Sequence, residues 1–249
     1  VMLPPFAREE EMGRGPGREL EFASGGERVR GYVATPASGR GPGVVVIQEW
    51  WGLVDHIRDV CDRLAREGFV ALAPDLYRGE TANDPDAAGR LMMGLEIPRA
   101  ARDLDGAVQA LQSQPEVSGA KVGAIGFCMG GQLALFAATR NARIGAVVDC
   151  YGVHPNVKLD LDGLEAAVLG VFAERDGFVP AETVRKLEAD LRAAGKRVHC
   201  TIYPGVDHAF FSPGDPAGAR TALRHLDLGD GPVLLFVGRI QPLKGLDVA

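Results

Sequence analysis

Short apolar runs alternate with amphipathic stretches along most of the chain. GVVVIQ (43–48), FVALAPD (69–75), KVGAIGF (121–127), GAVVDCYG (145–152), AAVLGVFAERD (166–176) and RVHCTIYPG (197–205) read as strands. Most are almost continuously apolar, as parallel strands covered on both faces must be. Between them, residues 55–68, 97–114, 131–140 and 180–195 carry helical periodicity. The last stretch opens on Pro180 and closes on Gly195, residues suited to helix entry and exit. Such alternation predicts an α/β fold, with a mostly parallel central sheet and helices on both faces. Ahead of it, ELEFAS (19–24) and RVRGYVATP (28–36) predict antiparallel edge strands joined by a GGE turn. No internal repeat is visible.

Composition narrows the setting. The chain has 249 residues, 46% hydrophobic and 24% charged, which is enough apolar material for one substantial core. Its net charge is −6 and it has no dense Lys/Arg cluster, which argues against a nucleic-acid partner. No apolar run is long enough to span a bilayer, and the first residues have no secretory h-region, so no membrane partner is expected. Residues 1–17, rich in Pro, Gly and Glu, predict a frayed arm ahead of a domain at 18–221. The four cysteines lack metal-ligand spacing, so no metal or cofactor is expected, and free thiols point to the reducing cytoplasm.

The chemistry centres on Gly126-Phe127-Cys128-Met129-Gly130-Gly131, between a predicted strand and a predicted helix. Glycines on both sides of a nucleophile let strand and helix approach closely, and they expose the nucleophile at the strand's C-terminal end. Cys128 also stands at a helix N-terminus, a placement that lowers a thiol pKa. A thiolate needs a base and an orienting acid, and in this architecture the chain order is nucleophile, acid, histidine. Asp176 follows a predicted strand in FAERDGFVP, and His208 follows the last one in YPGVDHAFF. Both positions fall at the C-terminal edge of the sheet, where open α/β sheets bind ligands. His154, just after a strand end, is the rival histidine; His199 lies within a strand, and His56 and His225 lie in helical patterns. Glu49 follows GVVVIQ in the loop that supplies a second oxyanion donor, so the backbone N–H groups of Met129 and Trp50 are the expected oxyanion hole. Cys61, Cys150 and Cys200 read as core or strand residues.

These residues resemble the dienelactone hydrolase family of α/β-hydrolases. The matching pieces are GPGVVVIQEWWGL, APDLYRGE, GFCMGGQLAL, YGV, ERDGFVP and YPGVDHAF, spread over most of the chain. The resemblance implies an α/β-hydrolase fold, with Cys128 as nucleophile, His208 as base and Asp176 as its orienter. It also implies that Glu49 interacts with the resting cysteine and helps control its ionisation. Arg78 and Tyr151 are the substrate-binding candidates it offers. Family members that cleave dienelactone carry an arginine shortly after the catalytic histidine, where this chain has Ser212, and their second arginine has only the shifted Arg78 as a counterpart. A serine does not replace a bidentate guanidinium clamp, so neutral esters are expected to be preferred. The segment 222–249 departs from the family: VGRIQPLKG resembles the start of the second lobe of retaining glycosyltransferases. So short a segment cannot supply a sugar-nucleotide lobe, which makes glycosyl transfer the weakest reading.

The sequence therefore predicts cysteine-dependent hydrolysis of a small-molecule carboxylic ester or lactone through a thioester, by a monomer or homodimer. The alternative is a redox-sensing α/β-hydrolase-like protein that uses Cys128 as a reactive thiol. The Asp176–His208 pair argues for the enzyme, since a sensor has no use for a tautomer-fixing aspartate.

Overall fold

The computed structural model describes residues 17–209. The arm through residue 16, Ser212, His225 and the segment 222–249 lie outside the described residues. Eight strands form one sheet: β1 (Gly17–Ser24), β2 (Glu27–Ala34), β3 (Gly41–Ile47), β4 (Val70–Pro74), β5 (Val117–Phe127), β6 (Ile144–Cys150), β7 (Ala167–Ala173) and β8 (Val198–Tyr203). Their order across the sheet is β1-β2-β4-β3-β5-β6-β7-β8. β1 with β2 and β2 with β4 are antiparallel, and the remaining neighbours are parallel.

Among the described residues, five α-helices lie in the longer connections: α1 (Asp55–Arg66), α2 (Pro85–Gly94), α3 (Ile97–Gln112), α4 (Met129–Arg140) and α5 (Ala181–Ala193). Ile57, Val60, Cys61 and Leu64 of α1 pack on one face of the sheet with Val44, Val46 and Ile125. Leu104, Val108 and Leu111 of α3 and Leu133 of α4 pack on the other, with Val45, Leu72, Ala124 and Val147. Every residue of β4 is buried, which is why VALAP reads as an unbroken apolar run.

Three features depart from the sequence reading. β2 is interior, between β1 and β4; only its first residues are exposed, and Tyr32, Val33 and Ala34 are buried. Gly17 begins β1 and does not belong to a frayed arm. Helix α2 was not foreseen, because it buries only Ala88 and so shows no apolar stripe. Its start signal was nevertheless present: Asp84 caps the helix by accepting from the Ala87 N–H at 2.9 Å, and Pro85 follows at the first turn.

Candidate active site

Cys128 is the single residue between β5 and α4, at φ 53° and ψ −124°. A non-glycine residue held there costs about 1–3 kcal/mol, so surrounding bonds must fix it. The Cys128 N–H donates to the Cys150 carbonyl at 3.0 Å. Its own carbonyl accepts from Gly131 at 2.9 Å and from Val153 at 3.2 Å. The flanking glycines are sterically required. A Cβ on Gly126 would collide with the Gly130 carbonyl, and one on Gly130 would collide with the carbonyls of Ile47 and Gln48. The turn is thus locked between the ends of β3 and β6.

The acid and the histidine come from the next two strand ends. Asp176 is buried just past β7. Its Oδ1 accepts from the N–H groups of Phe178 at 2.8 Å and Val179 at 2.9 Å, which leaves Oδ2 for His208 Nδ1 at 2.7 Å. That pairing puts the ring proton on Nδ1 and leaves Nε2 to act as base. The imidazole lies between two aromatic rings, with centroids 4.9 Å away for Tyr151 and 5.0 Å for Phe178. Cys128, Tyr151 and Ala209, at φ 53°, 43° and 58°, are three of the four non-glycine residues with positive φ among those described. Backbone strain is therefore gathered around this edge of the sheet.

The amides of Met129 and Trp50 both face the Cys128 sulfur and favour its anionic form. Even so, the thiol is pushed up to about 12, first by burial and then by the neighbouring Glu49. This corrects the expectation of a lowered thiol pKa: with 8% of the residue exposed, desolvation and a nearby carboxylate outweigh the helix N-terminus. Burial also raises Glu49, to about 7. The resting site thus holds a protonated sulfur beside a carboxyl that titrates near neutrality.

Arg78 is not a substrate clamp here. Its Nη2 donates to both Asp103 oxygens, at 2.9 and 3.0 Å, and to Glu27 at 3.1 Å, while Nη1 donates to the Arg28 carbonyl at 2.9 Å. The guanidinium ties the β1–β2 hairpin to α3, and a buried carboxylate holds it there. Tyr151 is at the site, its ring against His208 and its N–H donating to the Val171 carbonyl at 2.8 Å. His154 is buried elsewhere: its N–H donates to Gln132 Oε1 at 2.6 Å, and its Nδ1 accepts from the Asn156 N–H at 3.2 Å. Sequence reasoning missed Tyr77, which donates its hydroxyl proton to Met129 Sδ at 3.1 Å and lies where a thiolate on Cys128 would raise its own pKa. The DLY phrase beside a strand end was its only sequence signal.

Comparison with known proteins points one way. The sequence profile of the dienelactone hydrolase family matches residues 29–227. "Protein usf" of Aquifex pyrophilus is 39% identical over 203 residues, covering 79% of this chain and 87% of that one. A protein of Aquifex aeolicus named "Putative carboxymethylenebutenolidase" is 36% identical over the same shares. Among solved structures, a dienelactone hydrolase-like promiscuous phosphotriesterase from metagenomic libraries superposes with a TM-score of 0.74 at 30% identity, covering 86% of this chain and 98% of that one.

Proposed function

Since the chain belongs to the dienelactone hydrolase family, we propose that it hydrolyses neutral carboxylic esters or lactones through a thioester on Cys128. His208 Nε2 takes the thiol proton, with Glu49 as its neighbour in that transfer. The thiolate attacks the carbonyl carbon, and the new oxyanion takes over the Met129 and Trp50 amides that the sulfur uses at rest. The tetrahedral species expels the alkoxide, which leaves as an alcohol with the imidazolium proton. In a lactone it stays attached as the hydroxyl end of the acyl chain. Water, deprotonated by His208, then attacks the thioester and releases the carboxylic acid and the thiol. Asp176 holds the imidazole and stabilises its charged form throughout.

The observation that carries this reading is the strained Cys128 turn, with its sulfur against two amide donors and an Asp176–His208 pair at the next strand ends. The preference for neutral substrates rests on Arg78 being committed to Asp103. Redox sensing is the weaker reading, because a buried thiol pushed up to about 12 is neither exposed nor ionised. The four cysteines are free, and a reducing cytoplasm would keep Cys128 competent. The test is turnover of p-nitrophenyl acetate, with mass spectrometry to trap the acyl-enzyme. Turnover lost in Cys128→Ala and an acyl adduct on Cys128 are expected; full turnover by Cys128→Ala would sink the proposal.

A further inference from the structure

Asp149 is buried near the end of β6 and takes no part in the reaction just described. Its neighbours across the sheet are Gly126 on β5 and Gly170 on β7, neither of which has a side chain to cover it. Above it stand Gly131, in the first turn of α4, and Gly152, in the turn that leaves β6; a Cβ on either would collide with Asp149 Oδ1. Oδ1 has no hydrogen-bond partner among the described residues, and the Gly152 amide is the group that favours the charged carboxylate. Burial pushes the carboxyl up to about 7, so the fold holds a polar group where an apolar one would be more stable.

The turn it touches holds the site together. Cys150 accepts the Cys128 N–H, Val153 donates to the Cys128 carbonyl, and Tyr151 between them is left-handed, with its ring on His208. A strained residue stays strained only where its surroundings over-determine it, and the Gly152 amide is the next backbone group along. We propose that Asp149 is a positioning residue: its buried carboxylate braces the turn at 150–153 and, through Tyr151, sets the place of the His208 imidazole.

The inference rests on the ester-hydrolase reading, and wild-type turnover separates the two. A wild type inert on p-nitrophenyl esters overturns both; an active wild type leaves Asp149 to be judged on its variants. Asp149→Leu fills the slot without an acceptor for Gly152, and Asp149→Asn keeps one. The leucine form is expected to melt no lower than wild type, because a lone buried carboxylate is gone. Its kcat should fall about ten- to a hundredfold while KM moves about twofold or less, the pattern of lost orientation. The asparagine form should recover kcat to within about threefold of wild type, since its amide oxygen can accept the same N–H. In a Tyr151→Ala background the leucine change should add little, because both act on one element. Full kcat in Asp149→Leu, an equal loss in Asp149→Asn, or the same cost in both backgrounds each overturns the proposal. Asp149→Ala, which only vacates the space, carries the test if the leucine form does not fold.

Discussion

Asp103 and Glu49 are carboxylates that the fold withdraws from bulk water to different degrees in two different regions, Asp103 buried and Glu49 half-buried. Beside the β1–β2 hairpin, Asp103 receives Ser24 Oγ at 2.6 Å and both of its oxygens bind Arg78. At the C-terminal edge of the sheet, Glu49 faces a thiol, and burial alone is enough to raise its carboxyl to about 7. Asp149, in the same edge, has one backbone amide in its favour and an oxygen without a partner among the described residues. A paired buried charge holds two elements together and resists change. An unpaired one costs stability, and it persists where proton transfer or exact orientation repays that cost in function. By this reading the first region is scaffold and the second is machinery, and each can be perturbed separately.

The largest separation is in turnover. Cys128→Ala should lower ester hydrolysis by at least about a thousandfold, and His208→Ala should cost nearly as much, because members of a catalytic unit fail together. His154→Ala should keep most of the activity, since that ring is buried and its Nδ1 accepts from the Asn156 N–H. Steady-state rates on p-nitrophenyl acetate decide this. An active His208→Ala beside a dead His154→Ala would reverse the assignment. Arg78→Ala should do the opposite of the triad variants: stranding a buried Asp103 should cost about 3 kcal/mol in urea unfolding while leaving kcat of the folded fraction near wild type. A selective rise in KM for a carboxylated lactone would return Arg78 to the substrate site.

The contrast also predicts how stability varies with pH. The folded pKa of Glu49 is about 7 against 4.5 in the unfolded chain, so between those values the native state binds the extra proton. Its contribution is therefore full below about pH 4.5, is lost as pH rises towards 7, and is flat above that. Glu49→Gln should remove the Glu49 share of this slope, leaving the share of Asp149, whose carboxyl burial also raises to about 7, and should raise stability at pH 8 by on the order of 2–3 kcal/mol. Urea titrations at pH 5 and pH 8 check the sign. A wild type that gains stability over this window, with a Glu49→Gln variant that follows it, would show that Glu49 is ionised at little cost.

Much of this division could be read from the residues, because it depends on periodicity and on glycine spacing. The apolar runs located the parallel strands, and Gly126 and Gly130 around Cys128 marked the turn because a Cβ at either place is sterically impossible. Asp176 and His208 were legible by chain order and by their positions past strand ends. The thiol's ionisation was not legible, since it depends on burial and on how closely Glu49 approaches the sulfur, and a linear sequence states neither. Arg78 was misread for a related reason. Its partner Asp103 lies 25 residues away on α3, and a long-range ion pair leaves no local pattern. Helix α2 escaped because its one buried residue gives no stripe.

The smallest effect tests whether a cation can be added to the region beside His208. Ser212 follows His208 by four positions, where family members that cleave dienelactone carry an arginine. Arg78 cannot serve in its place without abandoning Asp103. A single added guanidinium contributes only about 1 kcal/mol to holding a carboxylate where water and salt compete for both partners. Ser212→Arg should therefore raise kcat/KM for a carboxylated lactone, relative to a neutral aryl ester, by only about fivefold at low salt, with the gain fading as salt is added. The ratio of the two specificity constants at low and high ionic strength is the measurement. A wild type that already prefers the carboxylated lactone would mean that a cation reaches the site from somewhere other than Arg78, and the preference for neutral substrates would fall.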